Sequence, residues 1–387
     1  MKHLRPSKYN ATNVKNFLLI FVFCAFIFAF FVLFIVLPKQ KESELEKKEL
    51  STFPSATLSN VLNGEFGKNF ETYVADHFPA RQFFVGVNAE YELYTGRNGL
   101  SGVYKGKDGY LINTPVTPNN ENMLNSINRI NLFAETNASV PVDMMVVPST
   151  GYLYEEELPS NHRVYRDDVI LKDVQDNLSD RIQYIDLLEP FSSLSESEQL
   201  FYKTDHHWTS QGAYEAYRVY CAQLGITPLA KEEFSITSTD GFYGTTYSRA
   251  ALWAQDSDTI EVWAPPTDGN VTVEINDGAE TKQSNSYFFP SHLEELDKYP
   301  VFLDGNHSYV KITNPQAQGG KLLLVKDSFG HCLAPFLSQH YSEIIMVDLR
   351  YYKQSLSQLI ETEGIDRVLI LYGLDNMVND TNIVFIK

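Results

Sequence analysis

The pattern of apolar positions divides the chain into four stretches. From Phe17 to Leu37 every residue is apolar or a cysteine, 21 positions without a break. As a helix at a rise of about 1.5 Å per residue, such a run spans roughly 30 Å, one bilayer core. Pro38 and Lys39 follow, with no Ala-x-Ala site of the kind a signal peptidase cuts. The pattern predicts an uncleaved transmembrane signal anchor at 17–37 and a short cytoplasmic N-terminus at 1–16. The body of the chain then lies outside the cytoplasm.

A lead-in occupies residues 38–100. Residues 39–50 are charged and predict a stalk or a solvated first helix. Leu58, Val61, Leu62, Phe66, Phe70, Tyr73 and Val74 then recur near helical spacing. Pro79 interrupts them, and Phe83, Phe84, Val87, Tyr91 and Tyr94 resume. Two helices with a turn at His77-Phe78-Pro79 are expected, and His77 reads as structural.

Residues 101–387 read as one α/β domain. A hairpin with an Asp108-Gly109 turn spans 102–112, and helices are expected near 119–136, 166–180 and 210–224. Continuous apolar runs at 140–147, 182–187, 321–326, 344–347 and 367–372 read as buried strands. Helices are expected near 330–340 and 353–362. Strands and helices alternating at this spacing predict a mostly parallel sheet covered by helices on both faces. Between 232 and 318 the texture changes to alternating strands and Gly-rich turns, such as Asn276-Asp277-Gly278. This reads as a β-rich insertion and a candidate for shaping substrate.

Charge and cysteines narrow the partners. Residues 1–37 carry four basic residues and no acid, whereas the remainder holds 27 basic and 49 acidic residues. So acidic a body argues against nucleic acid, whose phosphates need a basic face. Three cysteines, one of them within the apolar run, give no disulfide framework.

The candidate chemistry sits in two short segments, Asp205-His206-His207-Trp208 and Lys326-Asp327-Ser328-Phe329-Gly330. A serine hydroxyl needs an imidazole as base, and the imidazole needs a carboxylate to orient it and to stabilise its charged form. Together the segments offer all three groups. Ser328 falls between a predicted strand and helix, where backbone N–H groups favour a developing oxyanion. A plain helix N-cap serine reads the same way. Asp205, His206 and His207 are also fair metal ligands. Adjacent histidines diverge on most backbones, however, and there is no His-Glu-x-x-His motif, so no metal is expected. Ser328, Asp348–Arg350 and Gly373–Asn376 all follow predicted strand ends, where sites lie in open α/β sheets. Arg350 could bind an acidic sugar or pair with Asp348. Trp208 reads as packing beneath the loop.

These motifs resemble the DHHW family and the SGNH-like domain of alginate and cell-wall polysaccharide O-acetyltransferases, from about residue 76 onward. In that group the acid and histidine precede the serine, as here. The segments Asp76-His77-Phe78-Pro79-Ala80-Arg81, Gly106-Lys107-Asp108-Gly109-Tyr110-Leu111 and Val347-Asp348-Leu349-Arg350-Tyr351 add to the likeness. The resemblance implies an SGNH-hydrolase-like, flavodoxin-like fold with Ser328 as nucleophile, His207 as base and Asp205 as its acid. His206 is the other candidate base or a substrate contact. For oxyanion or substrate binding it points to Gly373 and Asn376, whose spacing departs by one residue from the SGNH Gly-x-Asn pattern, with Asn306 competing. It further implies acetyl transfer onto a polysaccharide, no cofactor, and a membrane-bound O-acyltransferase as acetyl donor. A carbohydrate acetyl esterase with the same triad and a non-catalytic glycan-binding scaffold stay open at this point.

Overall fold

The computed structural model describes residues 11–278 and 281–387. The expected cytoplasmic N-terminus at 1–16 therefore falls mostly outside the described residues. Two compact units divide the chain, 1–91 and 92–387.

In the first unit the apolar run forms helix α1, Ala11–Val36. Its stretch Val14–Val36 is the one helix among the described residues that is long and apolar enough to cross a membrane. The charged segment after it is not helical. It folds back as a short hairpin, β1 Glu42–Ser43 with β2 Lys48–Glu49, turning through Lys47 at a positive φ of 46°. A partner decides this over local propensity. Lys48 Nζ lies 2.6 Å from Asp76 Oδ1, and the same carboxylate takes the Ser51 N–H. Helices α2 Leu58–Leu62, α3 Glu65–Asp76 and α4 Arg81–Tyr94 follow. The turn between α3 and α4 lies where Pro79 predicts it. His77 Nε2 bonds the Ser51 carbonyl at 2.9 Å.

The second unit begins with a three-stranded sheet, β3 Gly99–Leu100, β4 Val103–Lys105 and β5 Leu111–Asn113. Asp108 and Gly109 turn its last hairpin, both with positive φ, which suits an Asp-Gly pair. The chain continues through α5 Asn120–Thr136, β6 Val142–Val147, α6 Thr150–Leu153, α7 Asp167–Asn177, β7 Ile182–Ile185 and α8 Leu188–Leu194. Helix α9 Ser210–Leu224 starts at a Thr209 cap and stops at Gly225 in the left-handed region. Then come β8 Ser235–Phe242, α10 Thr245–Ala250, β9 Asp258–Ala264, β10 Thr272–Asn276, β11 Thr281–Ser284 and β12 Tyr309–Thr313. The last part holds β13 Lys321–Lys326, α11 Phe329–Leu337, β14 Glu343–Val347, α12 Leu356–Glu363, β15 Arg367–Gly373 and α13 Leu374–Asn379.

Eight strands form the main sheet in the order β11-β10-β12-β14-β13-β15-β6-β7. The five from β14 to β7 run parallel. The other three are antiparallel and come from the stretch read as an insertion. The sheet is therefore mixed, and the insertion extends it as well as decorating it. Its remaining strands, β8 and β9, pair with each other as a separate ribbon.

Alternation in the central strands explains the layers. Leu322 and Leu324 of β13, with Leu369 and Leu371 of β15, face a core that also contains Tyr217 of α9 and Phe336 of α11. Leu323, Val325, Val368 and Ile370 face the opposite core, with Ile127 of α5, Val174 of α7 and Leu359 of α12. A strand buried on both faces reads as an unbroken apolar run, which is why these strands stand out in the sequence.

Candidate active site

Ser328 follows the C-terminal end of β13 and occupies the N-cap position of α11 in helical geometry, φ −64° and ψ −19°. Its hydroxyl makes no capping bond. Instead Oγ lies 2.6 Å from His207 Nε2. On the far side of the ring, His207 Nδ1 lies 2.5 Å from Asp205 Oδ2. The structure thus brings the three predicted residues into one line across 121 residues of sequence.

Two further contacts hold the imidazole. The Tyr299 ring stacks on it at 3.9 Å with only 7° between the planes, and Phe329 meets it edge-on at 5.3 Å. Trp208 is fully buried and packs edge-on against Phe329, so it is a packing residue, as its apolar setting predicts.

The loop carrying the acid and histidine is fastened mainly by the segment read as an insertion. Asp258, at the start of β9, accepts the N–H groups of Lys203 and Thr204 and the Thr204 hydroxyl. Thr245, at the start of α10, donates both its N–H (2.7 Å) and its hydroxyl (2.6 Å) to Asp205 Oδ1. His206 Nδ1 lies 2.5 Å from that hydroxyl. His206 N–H therefore donates to Thr245, Thr245 donates to Asp205, and Asp205 accepts from His207. The preceding Gly244 has to be glycine, because a Cβ there would sit 2.1 Å from the Asp205 Cβ. Thr245, Asp258 and Tyr299 lie in a stretch without a distinctive motif and were not visible as site residues. The Asp-Gly and aromatic content of 232–318 gives no sign of them.

Burial and neighbours set the charges. Burial pushes the Asp205 carboxyl up, but His207 and His206 outweigh it and hold it well below the usual carboxylate range. Burial and the charge of His206 lower His207, against the pull of Asp205. His206 is raised, because Asp205 outweighs its own burial. Both shifts favour a carboxylate beside an uncharged imidazole, an arrangement that general-base catalysis could use.

The predicted oxyanion donors are placed differently. Gly373 N–H donates to Asp327 Oδ2 at 2.7 Å, and Asn376 Nδ2 donates to the same oxygen at 2.8 Å. Asp327 Oδ1 takes the Phe329 N–H. The Gly373 N–H is thus committed to the buried Asp327, and the Asn376 amide is held by it. The Ser328 N–H makes no hydrogen bond to any described residue. Arg350 binds Asp348 bidentately, with Nη2 to Oδ2 at 2.6 Å, and also donates to Asn306 Oδ1. The ion-pair reading of Arg350 describes this geometry, and Asn306 serves the same cluster. Buried Lys326 lies 3.7 Å from Asp348 and donates to His331 Nε2 at 2.7 Å.

A cavity of about 340 Å³ adjoins the site. Asp205, His206, Phe329, Gly373 and Asn376 line one part, and Asn113, Ser149, Thr150 and Arg249 line another. Asp205, His206 and His207 bring possible metal-ligand atoms within 4.8 Å of one another. In the present arrangement both nitrogens of His207 and both oxygens of Asp205 are taken up in hydrogen bonds.

Comparisons with known proteins agree with the fold. A family model described as DHHW protein matches residues 176–347. A second, described as SGNH hydrolase-like domain, acetyltransferase AlgX, matches residues 103–242. A curated relative, "Probable alginate O-acetylase AlgJ" of Azotobacter vinelandii, is 26% identical over 187 residues, 46% of this chain and 47% of the relative. The chain thus spans about half the length of that protein. The solved structure of a DHHW family protein from Eubacterium siraeum superposes with a TM-score of 0.62 at 24% identity, covering 75% of this chain and 97% of that one. PatB1 of Bacillus cereus, solved with a sulfonyl adduct, gives 0.62 at 21% identity, covering 74% and 98%. The chain is thus similar to DHHW proteins over residues 176–347 and to the SGNH hydrolase-like domain of the acetyltransferase AlgX over residues 103–242.

Proposed function

We propose that this protein is an extracytoplasmic O-acetyltransferase that moves an acetyl group through a Ser328 ester onto a hydroxyl of a cell-surface or exported polysaccharide. The observation that carries the reading is the line Ser328 Oγ–His207 Nε2–His207 Nδ1–Asp205 Oδ2, with contacts of 2.6 and 2.5 Å. The likeness to an alginate O-acetylase supports the substrate class. A non-catalytic scaffold would not need these groups in contact.

In the first half-reaction His207 takes the Ser328 proton as Oγ attacks the acetyl carbonyl. Asp205 stabilises the imidazolium, and the face of Tyr299 lies against the ring as it becomes charged. The Ser328 N–H at the start of α11 faces the developing oxyanion. The imidazolium then protonates the leaving group, and acetyl-Ser328 remains. In the second half-reaction His207 takes the proton of a glycan hydroxyl, whose oxygen attacks the ester. Ser328 leaves and recovers the proton. The acetyl donor is a membrane-bound O-acyltransferase, and α1 anchors the chain beside it in the membrane as a single pass.

The test is intact mass spectrometry after incubation with an activated acetyl ester, for wild type, Ser328→Ala and His207→Ala. We expect an acetyl adduct on wild type alone, discharged faster by added glycan than by water. Rapid release of acetate with no glycan product makes the protein an acetyl esterase. Folded wild-type protein with no adduct and no Ser328-dependent turnover overturns the reading.

A further inference from the structure

Helix α4 carries its apolar stripe on the outside. Phe83, Phe84, Val87 and Tyr91 share one face, and Phe83 and Tyr91 are 64% and 61% exposed. The residues turned inward are Gly86 and Ala89. Helix α2 likewise exposes Leu58 and Leu62. A helix of a water-soluble domain turns its apolar stripe to the core. In α4 the only buried positions are two of the smallest residues, whereas the four large apolar side chains of the stripe stay exposed.

This outer face is continuous with α1. The Phe30 ring stacks on Phe78 at 5.2 Å and meets Phe84 at 5.8 Å, and Phe34 meets Tyr73 at 6.1 Å. Phe30 lies six residues before the end of α1, about 9 Å along its axis. Side chains that pack on Phe30 share its depth. If Val14–Val36 crosses a bilayer, Phe78 and Phe84 lie about 9 Å inside the end of the span, within the roughly 5–10 Å to which interfacial helices bury their apolar faces.

We infer that α2, α3 and α4 lie on the lipid surface, with the Phe83–Tyr91 face dipped into the boundary between headgroups and acyl chains. The inference rests on reading α1 as a membrane span. Aromatic side chains favour that boundary, and amphipathic helices bind there through buried apolar area. Residues 39–91 hold six basic against eight acidic residues, so attraction to anionic lipid is not what holds them. The chain would then grip the membrane twice, through a spanning helix and a surface platform.

The test uses the full chain reconstituted in vesicles of neutral phosphatidylcholine. Tryptophan is introduced singly by Ile27→Trp, Phe83→Trp, Tyr91→Trp and Lys172→Trp, with the wild type as background. Lys172 is exposed on α7 and serves as the water reference. Phospholipids brominated at different depths are the quenchers in the bilayer, and iodide is the quencher in water. We expect the added signal at 27 to be quenched by deep bromine and that at 83 and 91 by shallow bromine. The signal at 172 should respond to iodide alone. Exchanging half of the lipid for phosphatidylglycerol should leave the pattern unchanged. Iodide quenching at 83 and 91 like that at 172 overturns the inference while leaving the span intact. Protection from both quenchers at 83 and 91 also overturns it, because protein then covers the face. A position 27 that deep bromine does not reach removes the span itself, and the inference with it.

Discussion

Two charged clusters are built on the same strand-to-helix junction, and they are wired differently. Asp205, His207, His206 and Thr245 form a hydrogen-bonded chain in which Asp205 accepts from both sides, and its open end is the Ser328 hydroxyl, which donates to His207 Nε2 beside a cavity. Asp348, Arg350, Lys326, His331 and Asn306 form a closed set whose members satisfy one another. Burial acts on both. It pushes Lys326 down to about 8 and keeps His331 well below its ordinary range, with Lys326 beside it. The first cluster leaves a serine hydroxyl at its end, the group that the proposed reaction uses. The second leaves none, and its strongest contact is a bidentate ion pair. Buried charge therefore marks a candidate for chemistry only where the network stops at a group that can react.

Substitutions can break this contrast or sharpen it. The largest effect is expected from Asp205→Asn, which misorients the His207 tautomer. Turnover should fall about 10³- to 10⁴-fold while the melting profile shows a folded protein. Next, Asp348→Ala leaves buried Lys326 without its carboxylate. We expect about 3–5 kcal/mol lost in denaturant unfolding, with acylation per folded molecule changed only a few-fold. A stable but inactive variant would move the second cluster into the chemistry. Thr245→Val removes a hydroxyl donor to Asp205 while keeping shape and backbone N–H. Its turnover should drop about 10- to 100-fold, and Thr245→Ser should restore it. The smallest effect is a pH shift in His206→Asn. His207 acts as a base only when neutral, and the charge of His206 helps to lower it. Removing that charge raises His207, so the acidic limb of the rate profile should move to higher pH. A limb that stays or moves lower would mean that His206 does not face His207 as a charge.

Legibility followed burial and chemistry. β13, β15 and β6 were readable because both faces are covered and their sequences are continuously apolar. Ser328, His207 and Asp205 stood out because reactive residue types cluster tightly on two loops. Gly373 and Asn376 did lie at a strand end near the serine, but spacing could not show that Asp327 would claim them. Residues 39–50 are helix-prone by propensity, and partners far along the chain explain the hairpin, with Asp76 holding Lys48, Arg81 holding Glu46 and Gln82 donating to Ser43. Thr245, Asp258 and Tyr299 act through geometry alone. A threonine that binds a carboxylate looks in sequence like any other threonine.

The place of β15 has a consequence for how the molecule comes into being. It is the last strand in chain order, yet it lies between β13 and β6, joined to each by parallel hydrogen bonding. Until residues 367–373 are in position, the strand that carries the serine has no bridge to the half of the sheet made first. The strand's end also supplies the Gly373 N–H that Asp327 holds next to Ser328. In the main sheet the serine-bearing strand is therefore tied to the half made first through residues 367–373, which act as its keystone.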